Sequence, residues 1–265
     1  MKQYRLTIDD SIRFFAEIAA HHAVSLFDNP YLAAYRQLHN RYALKVQFNV
    51  FLSYAPCSFS LLDFPDCYKA EFEANSDWMS FAFHARHNNP SHPYQFATAA
   101  TLVQDYQEIQ QQLQRIAGKA ADNELVTIHY VDATKPACLA LQKCGVRGFM
   151  GLFYAADQKP CTSYFLTDRQ AEAVRAKGIW KDPETQLLFF CNHLVINNYS
   201  QAEMLIALQK MLDHEQEYID LMLHEQYFYP DFCLYQSDYF AKLDKMAQIL
   251  AAHGYQSVLA RDILK

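Results

Sequence analysis

The fold prediction starts from the stretch Tyr218-Ile219-Asp220-Leu221-Met222-Leu223-His224-Glu225-Gln226-Tyr227-Phe228-Tyr229-Pro230. It opens as a short apolar run and ends in three polar residues and an aromatic cluster. A buried strand of a parallel sheet is a nearly continuous apolar run. Because α/β folds place functional residues just past the carboxyl ends of such strands, we predict that His224 and Glu225 belong to a functional site.

Three other strand-like runs end in the same way. Each places a histidine or a carboxylate at its carboxyl end: residues 78–83 precede His84, residues 125–128 precede His129, and residues 4–8 precede Asp9 and Asp10. Since the carboxyl ends of parallel strands meet at one face of a fold, we expect these side chains to converge.

Strand-like and helix-like segments alternate nearly throughout the chain, which is typical of parallel βαβ units. The polar residues follow strands that lie far apart in sequence, which favours a barrel over an open sheet. We therefore predict an α/β protein with a single domain over 1–265, a distorted (β/α) barrel of seven or eight strands. Residues 153–199 have a less regular pattern, so we expect an irregular insertion there. The glycine motifs that bind nucleotide phosphates are absent from the sequence.

Composition narrows the function classes. The net charge of −6 and the pI of about 6.0 argue against a nucleic-acid-binding face. No apolar run approaches the length of a membrane span, and the first residues lack the apolar segment of a secretion signal. Seven scattered cysteines without a Cys-x-x-Cys pair are typical of reduced thiols, so we expect a cytoplasmic protein. The 15% aromatic residues fit either a large core or a sugar-binding groove.

The converging polar residues suit hydrolysis. Asp10 with two imidazoles would form a metal site with open positions, which suits zinc first and also cobalt, nickel or iron. Such an ion lowers the pKa of bound water and polarises a carbonyl group. Asp9 is then a candidate general base, and His224 is a candidate acid for the leaving group, with Glu225 or a neighbour orienting its ring. Together these residues would hydrolyse an amide or an ester.

Each of these residues also has a structural alternative. Asp10 or Ser11 is a candidate N-cap of the first helix. His129 is a candidate hydrogen-bonded core histidine, and His87 is a candidate exposed residue of a polar loop. Glu225 is a candidate acceptor for a backbone amide.

Thr7-Ile8-Asp9-Asp10 resembles the first motif, Thr-Phe-Asp-Asp-Gly, of the polysaccharide deacetylase-like (NodB-homology, glycoside hydrolase/deacetylase) superfamily, with Ser11 in place of glycine. The run that ends in His84 resembles the strand of the second motif, His-Ser/Thr-x-x-His, and Leu221–His224 resembles the last motif. Further stretches are similar to a bacterial branch of that superfamily: 78–84, 127–130, 145–148 and 224–230. The resemblance implies a NodB-like barrel, with Asp9 as base, Asp10 and His84 as metal ligands, and His224 as acid.

One departure concerns the metal. Position 88, four residues after His84, is Asn88 where the family has its second metal histidine. The third ligand is therefore His129, His87 or none.

The resulting prediction is a metal-dependent hydrolase that removes an acetyl or related acyl group from a carbohydrate or sugar conjugate. Five residues are predicted to contact substrate: Trp78, Tyr130, Arg147, Tyr227 and Tyr229. One alternative is a metal-free barrel that only binds a carbohydrate or small metabolite. A weaker alternative is a metal-free glycosidase that pairs Asp9 with Glu225. The oligomeric state is left open.

Overall fold

A computed structural model describes residues 1–151 and 163–264. The strands are β1 (Gln3–Ser11), β2 (Val46–Phe51), β3 (Ser53–Tyr54), β4 (Phe59–Ser60), β5 (Met79–Ala85), β6 (Leu125–Val126), β7 (Gly148–Met150), β8 (Ile179–Lys181), β9 (Leu188–Phe190), β10 (Leu194–Val195), β11 (Tyr218–His224) and β12 (Gln256–Ser257). The α-helices are α1 (Arg13–His21), α2 (Pro30–Tyr42), α3 (Lys69–Ala74), α4 (Ala99–Ala117), α5 (Lys135–Lys143), α6 (Asp168–Lys177), α7 (Gln201–Asp213), α8 (Tyr239–Ala252) and α9 (Ala260–Ile263).

The parallel strands form two hydrogen-bonded sheets. The first has the order β10-β11-β1-β2-β5, with β12 beside β1, and the second has the order β6-β7-β9-β8. Strand β8 is antiparallel to β9, and the hairpin β3–β4 stands apart. An isolated parallel bridge pairs Phe81 of β5 with Ala121, which precedes β6. Helices connect most successive strands of the sheets, so the predicted α/β class with parallel strands is confirmed.

Strand β1 runs through the middle of the first sheet and is buried from Tyr4 to Ser11. Tyr4, Leu6 and Ile8 pack in the apolar core. The alternating positions Arg5, Thr7 and Asp9 are also buried, although they are polar. Because neighbouring side chains of a strand point to opposite faces, one face of β1 packs against apolar residues and the other is polar. Buried Gln47 and Asn49 extend the polar face onto β2.

The region predicted as an irregular insertion contains the short helix near 168–177 and the strand-like pieces that its sequence pattern indicates. Over residues 168–195 it contains a helix and three strands. Strand β9 pairs in parallel with β7, and β10 pairs in parallel with β11, so both belong to the main sheets. These strands have only two or three residues, which accounts for the less regular sequence pattern of the region. The part of the predicted insertion over 153–162 lies outside the described residues.

The first helix begins differently from the prediction. Strand β1 extends to Ser11 instead of ending near Ile8, and the N-cap residue of α1 is Ile12, which has no side-chain cap. Asp10 and Ser11 therefore do not cap this helix, and that alternative is wrong.

Glu225 takes the place of the missing cap. It lies in a 3₁₀ turn directly after β11 and is fully buried. Its carboxylate accepts hydrogen bonds from the backbone N–H groups of Ile12, Arg13 and Phe14 at 2.6, 2.9 and 2.7 Å. The Tyr229 hydroxyl donates a further bond at 3.2 Å. A helix leaves its first N–H groups without partners, and a carboxylate near that end is favoured by the helix dipole.

The described residues include no helix that is both long and apolar enough to cross a membrane.

We predict that Glu225→Gln destabilises the fold by about 2–4 kcal/mol, because the amide brings an N–H₂ group against backbone donors that lose their acceptor. Urea denaturation measures this change. The matched control is Glu172→Gln on α6, where the carboxylate is 70% exposed, and we expect a change of about 0.5 kcal/mol or less. Equal unfolding midpoints for the two variants would contradict the capping role of Glu225.

Candidate functional site

The predicted polar residues converge on one cleft. It has a volume of about 440 Å³ and lies at the carboxyl ends of β1, β5 and β11. The residues that line it are Asp9, Asp10, His84, Asn88, His129, Tyr130, His224, Gln226, Tyr227 and Phe232. The structure therefore brings seven of the predicted site residues together: Asp9, Asp10, His84, His129, Tyr130, His224 and Tyr227.

Asp9 and Asp10 both reach this cleft although they are neighbours in a strand. Consecutive side chains of a regular strand point to opposite faces. Asp10, however, has a left-handed backbone with φ +58°, and the pairing of β1 with β2 shifts register between Ile8 and Ser11. Such an irregularity redirects side chains near the end of a strand. It lets two consecutive carboxylates line one cleft.

Asp10, His84 and His129 form a compact buried cluster. The His84 Nε2 atom lies 3.1 Å from Asp10 Oδ1 and 3.0 Å from His129 Nδ1, and His129 Nδ1 lies 3.4 Å from Asp10 Oδ1. Zinc bonds of about 2.0–2.2 Å to nitrogen and oxygen place neighbouring ligand atoms about 3.0–3.4 Å apart. The spacing of the three atoms thus matches a set of ligands on one face of an ion.

The tautomer of His84 also suits the binding of a cation. Its Nδ1 atom lies 2.6 Å from the Thr127 carbonyl oxygen, which only accepts hydrogen bonds, so Nδ1 carries the proton. In the neutral ring Nε2 then presents a lone pair to the Asp10 carboxylate. Two lone pairs at this distance repel each other unless a cation or a proton lies between them. A backbone carbonyl that fixes the ring in this way is typical of metal-bound histidine.

Burial and neighbouring charges shift the pKa values of the residues in the cluster. Burial opposes the charged form of Asp10, but the hydrogen bond with His84 and the charges of the nearby histidines lower its pKa below its usual range. Burial, together with the charge of His84, lowers the pKa of His129 to about 3. Burial lowers the pKa of His84, but Asp9 and Asp10 outweigh burial and raise it. Since metal ions bind an ionised carboxylate and a neutral imidazole, Asp10 and His129 favour the metal-binding form, and binding at His84 would displace a proton.

Asp9 lies beside the cluster and is held by Asn49. The Asn49 amide nitrogen donates to Asp9 Oδ1 at 2.6 Å and to Thr127 Oγ1 at 3.0 Å. Gln47 in turn donates to Asn49 Oδ1 at 2.9 Å, which fixes the orientation of that amide. Burial raises the pKa of Asp9, and the nearby His84 and His224 only partly offset this effect. Asp9 therefore binds a proton more readily than an exposed aspartate does.

His224 pairs in register with Asp9 on the neighbouring strand. Its Nδ1 atom lies 3.0 Å from Asn197 Oδ1, which also accepts the His224 backbone N–H at 3.1 Å. Because the Asn197 amide nitrogen bonds to Asn198, the Asn197 oxygen faces the ring and Nδ1 is the donor. The Nε2 atom of His224 is then left to exchange a proton.

Three residues that hold acidic or basic groups of the site were not assigned a role from the sequence. Asn49 and Asn197 hold Asp9 and His224, and Gln226 donates from Nε2 to Asp10 Oδ2 at 2.6 Å. Gln226 could have been predicted as a site residue, because it directly follows His224 and Glu225 in the sequence. The sequence did not indicate Asn49 and Asn197 as site residues, because single asparagines are common in ordinary strands and turns.

Two predicted substrate-binding residues lie at the wrong end of the strands. Trp78 precedes β5, is 2% exposed, and donates to Asn75 while its ring stacks on His39. Arg147 precedes β7 and bonds to Glu124 and to the Leu264 carbonyl. Both residues flank the amino ends of their strands and do not line the cleft, so the structure does not bring them together with Asp10 and His224.

Three further predictions are corrected by burial or distance. Tyr229 is 4% exposed and lies under the Arg13 guanidinium, 3.8 Å from ring centroid to Cζ, away from the cleft lining. Glu225 caps α1 and does not contact the His224 ring as a hydrogen-bond partner. His87 bonds to Ser53 Oγ at 2.7 Å in a separate cavity, and it is not part of the cluster with Asp10.

Comparison of the structure with solved structures identifies the fold. A 4-alpha-glucanotransferase from Thermococcus litoralis superposes with a TM-score of 0.62 at 11% identity, over 100% of this chain and 40% of the other. The carbohydrate deacetylase Agd3 gives a TM-score of 0.54 at 10% identity, over 99% of this chain and 53% of the other. A CE4 esterase from Streptococcus mutans gives 0.51 at 10% identity, over 97% and 85%.

The chain therefore shares its fold with these three carbohydrate-active proteins. This confirms the predicted fold class. The chain spans less than half the length of the glucanotransferase, and just over half that of Agd3. No protein-family model and no curated protein sequence matches the chain. At these identities the likeness concerns the fold, and the chemistry of the cleft has to be argued from its own residues.

We predict that His129→Ala lowers the affinity for zinc sharply, because it removes one of three ligand atoms, whereas His87→Ala binds zinc as the wild type does. Both variants replace a histidine close to Asn88, so the pair forms a matched control. Elemental analysis after dialysis against zinc gives the metal content, and we expect about one ion per chain in the wild type and in His87→Ala. Loss of zinc from His87→Ala with retention in His129→Ala would reverse the assignment.

Proposed function

We propose that this protein is a metal-dependent hydrolase that removes an acetyl or related acyl group from a carbohydrate or sugar conjugate. The observation that carries the proposal is the cluster of Asp10, His84 and His129 in the same cleft as Asp9 and His224. One cleft thus offers a metal-ligand set, a carboxylate and an imidazole. These are the groups that metal-assisted acyl hydrolysis needs.

Asp10, His84 and His129 would hold the ion, with His129 taking the place of the histidine that Asn88 replaces. A zinc ion, or cobalt, nickel or iron in its place, would lower the pKa of a bound water and polarise the acyl carbonyl. The Thr127 carbonyl keeps the Nε2 lone pair of His84 directed at the cluster. Gln226 holds the second oxygen of Asp10, so that carboxylate offers a single oxygen to the ion.

Asp9 is the proposed general base. Its carboxylate is held by Asn49 and has a raised pKa, so it accepts a proton from water more readily than an exposed aspartate does. His224 is the proposed acid. Its Nδ1 proton is bound to Asn197, so the proton delivered to the leaving nitrogen or oxygen would be a second one, carried on Nε2 of the doubly protonated ring.

The sugar would lie against the aromatic residues of the cleft. Tyr130, Tyr227 and Phe232 line it, and aromatic faces suit the apolar faces of sugar rings. The named activities of the structural neighbours support a carbohydrate substrate, since they are a glucanotransferase, a carbohydrate deacetylase and a CE4 esterase. We further propose a cytoplasmic substrate, which the scattered free cysteines of the described residues support.

A metal-free glycosidase that pairs Asp9 with Glu225 is not supported. Such enzymes place two carboxyl groups on opposite sides of the sugar bond. Glu225 is fully buried and bound to the start of α1. The carboxylates that line the cleft in the described part of the chain are Asp9 and Asp10, which are adjacent.

Deacetylation assays on the zinc-loaded protein test the proposal, with a panel of acetylated mono- and oligosaccharides as substrates. We predict that Asp9→Asn and His224→Gln each lower kcat by about 10²–10⁴-fold while zinc content is retained, because general acid–base groups contribute on that scale. The matched controls are Asp213→Asn and His214→Gln, both exposed at the end of α7, with the rate of the wild type expected.

Two results would contradict the proposal. If the zinc-loaded wild type binds acetylated sugars without releasing acetate, the barrel is a binding protein. If Asp9→Asn and His224→Gln keep the rate of the wild type, the hydrolysis does not use this cleft.

A further inference from the structure

A hydrogen bond to Asp10 fixes the orientation of the Gln226 side-chain amide. Its Nε2 atom donates to Asp10 Oδ2 at 2.6 Å. A carboxylate offers only acceptors, so the nitrogen of the amide has to face Asp10 and the oxygen has to face away. The two possible orientations of a glutamine amide are therefore not equivalent here.

The Gln226 oxygen is left without a donor. Oε1 is buried and has no hydrogen-bond partner among the described residues. The side chain nevertheless lines the cleft that contains Asp9, His84 and His224. A buried acceptor without a partner is destabilising, so a donor from outside the chain is expected when the site is in use.

We propose that Gln226 Oε1 accepts the N–H of the scissile amide and thereby selects N-acyl over O-acyl substrates. This inference rests on the proposed function, and it narrows the substrate class to N-acylated sugars. An acetamido group presents one N–H donor next to the carbonyl that is attacked, whereas an acetoxy group presents none. A site built around a hydrogen-bonding group discriminates strongly against an analogue that lacks its partner.

Gln226 also acts on Asp10, and the two roles are separable. If its amide only positions the Asp10 carboxylate, or if Oε1 only binds a water molecule, its loss slows amide and ester hydrolysis by the same factor. If Oε1 binds the substrate N–H, its loss slows amide hydrolysis more. The ratio of the two rates cancels any change in the fraction of protein that holds metal.

The test compares Gln226→Met, which keeps the length of the side chain but has no polar atom, with the wild type. The probes are the methyl glycoside of 2-acetamido-2-deoxyglucose and its 2-acetoxy counterpart. We expect the ratio of kcat/KM for amide over ester to fall about 10–100-fold in Gln226→Met. The control Gln248→Met, at an exposed position of α8, keeps the ratio of the wild type. An unchanged ratio in Gln226→Met overturns the proposal.

A binding experiment separates this inference from the proposed function. If the wild type hydrolyses neither probe, calorimetric titration of the metal-free protein still gives a Kd for each. The inference predicts that the wild type binds the acetamido probe about 10-fold or more tightly than the acetoxy probe, and that Gln226→Met binds them equally. Equal affinities in the wild type contradict the inference. The comparison within the wild type also remains decisive if the variant fails to fold.

Discussion

The site depends on the contact between the end of β1 and the residues that follow β11. His224 pairs in register with Asp9, Glu225 accepts the first N–H groups of α1, and Gln226 donates to Asp10. Three consecutive residues thus bind three different parts of the segment 9–14: the backbone at Asp9, the first N–H groups of α1 and the Asp10 side chain. Asp10 needs this support, because a left-handed backbone is unfavourable for a residue with a side chain. We infer that this contact fixes the direction of both carboxylates.

The cost of burying these groups favours a cation. Asp9 and Asp10 are 1% and 8% exposed, and their side-chain partners include the Asn49 amide and the His84 imidazole. Burying charge without compensation is expensive, and proteins resolve it by pairing, by metal binding or by protonation. Here Asp9 has a raised pKa and Asp10 a lowered one. Adjacent carboxylates whose pKa values move apart are suited to different roles, with one binding a proton and the other a metal ion.

Sequence patterns predicted the strands that bring the site together, and the reason is physical. Buried parallel strands leave long apolar runs, and polar residues at their ends stand out, as at His84 and His224. Roles that depend on the direction of a side chain were not predictable in this way. Trp78 and Tyr229 have the composition of a sugar site but pack in the core. Glu225 lies next to His224 in sequence, yet its carboxylate points to α1, because a single residue in a turn changes which face a side chain occupies.

The most direct measurement is anomalous diffraction at the zinc absorption edge from crystals grown with zinc. The account predicts one strong peak within about 2.0–2.2 Å of Asp10 Oδ1, His84 Nε2 and His129 Nδ1. A peak bound to His87 instead, or no peak in the cleft at saturating zinc, would contradict the metal site and with it the proposed hydrolysis.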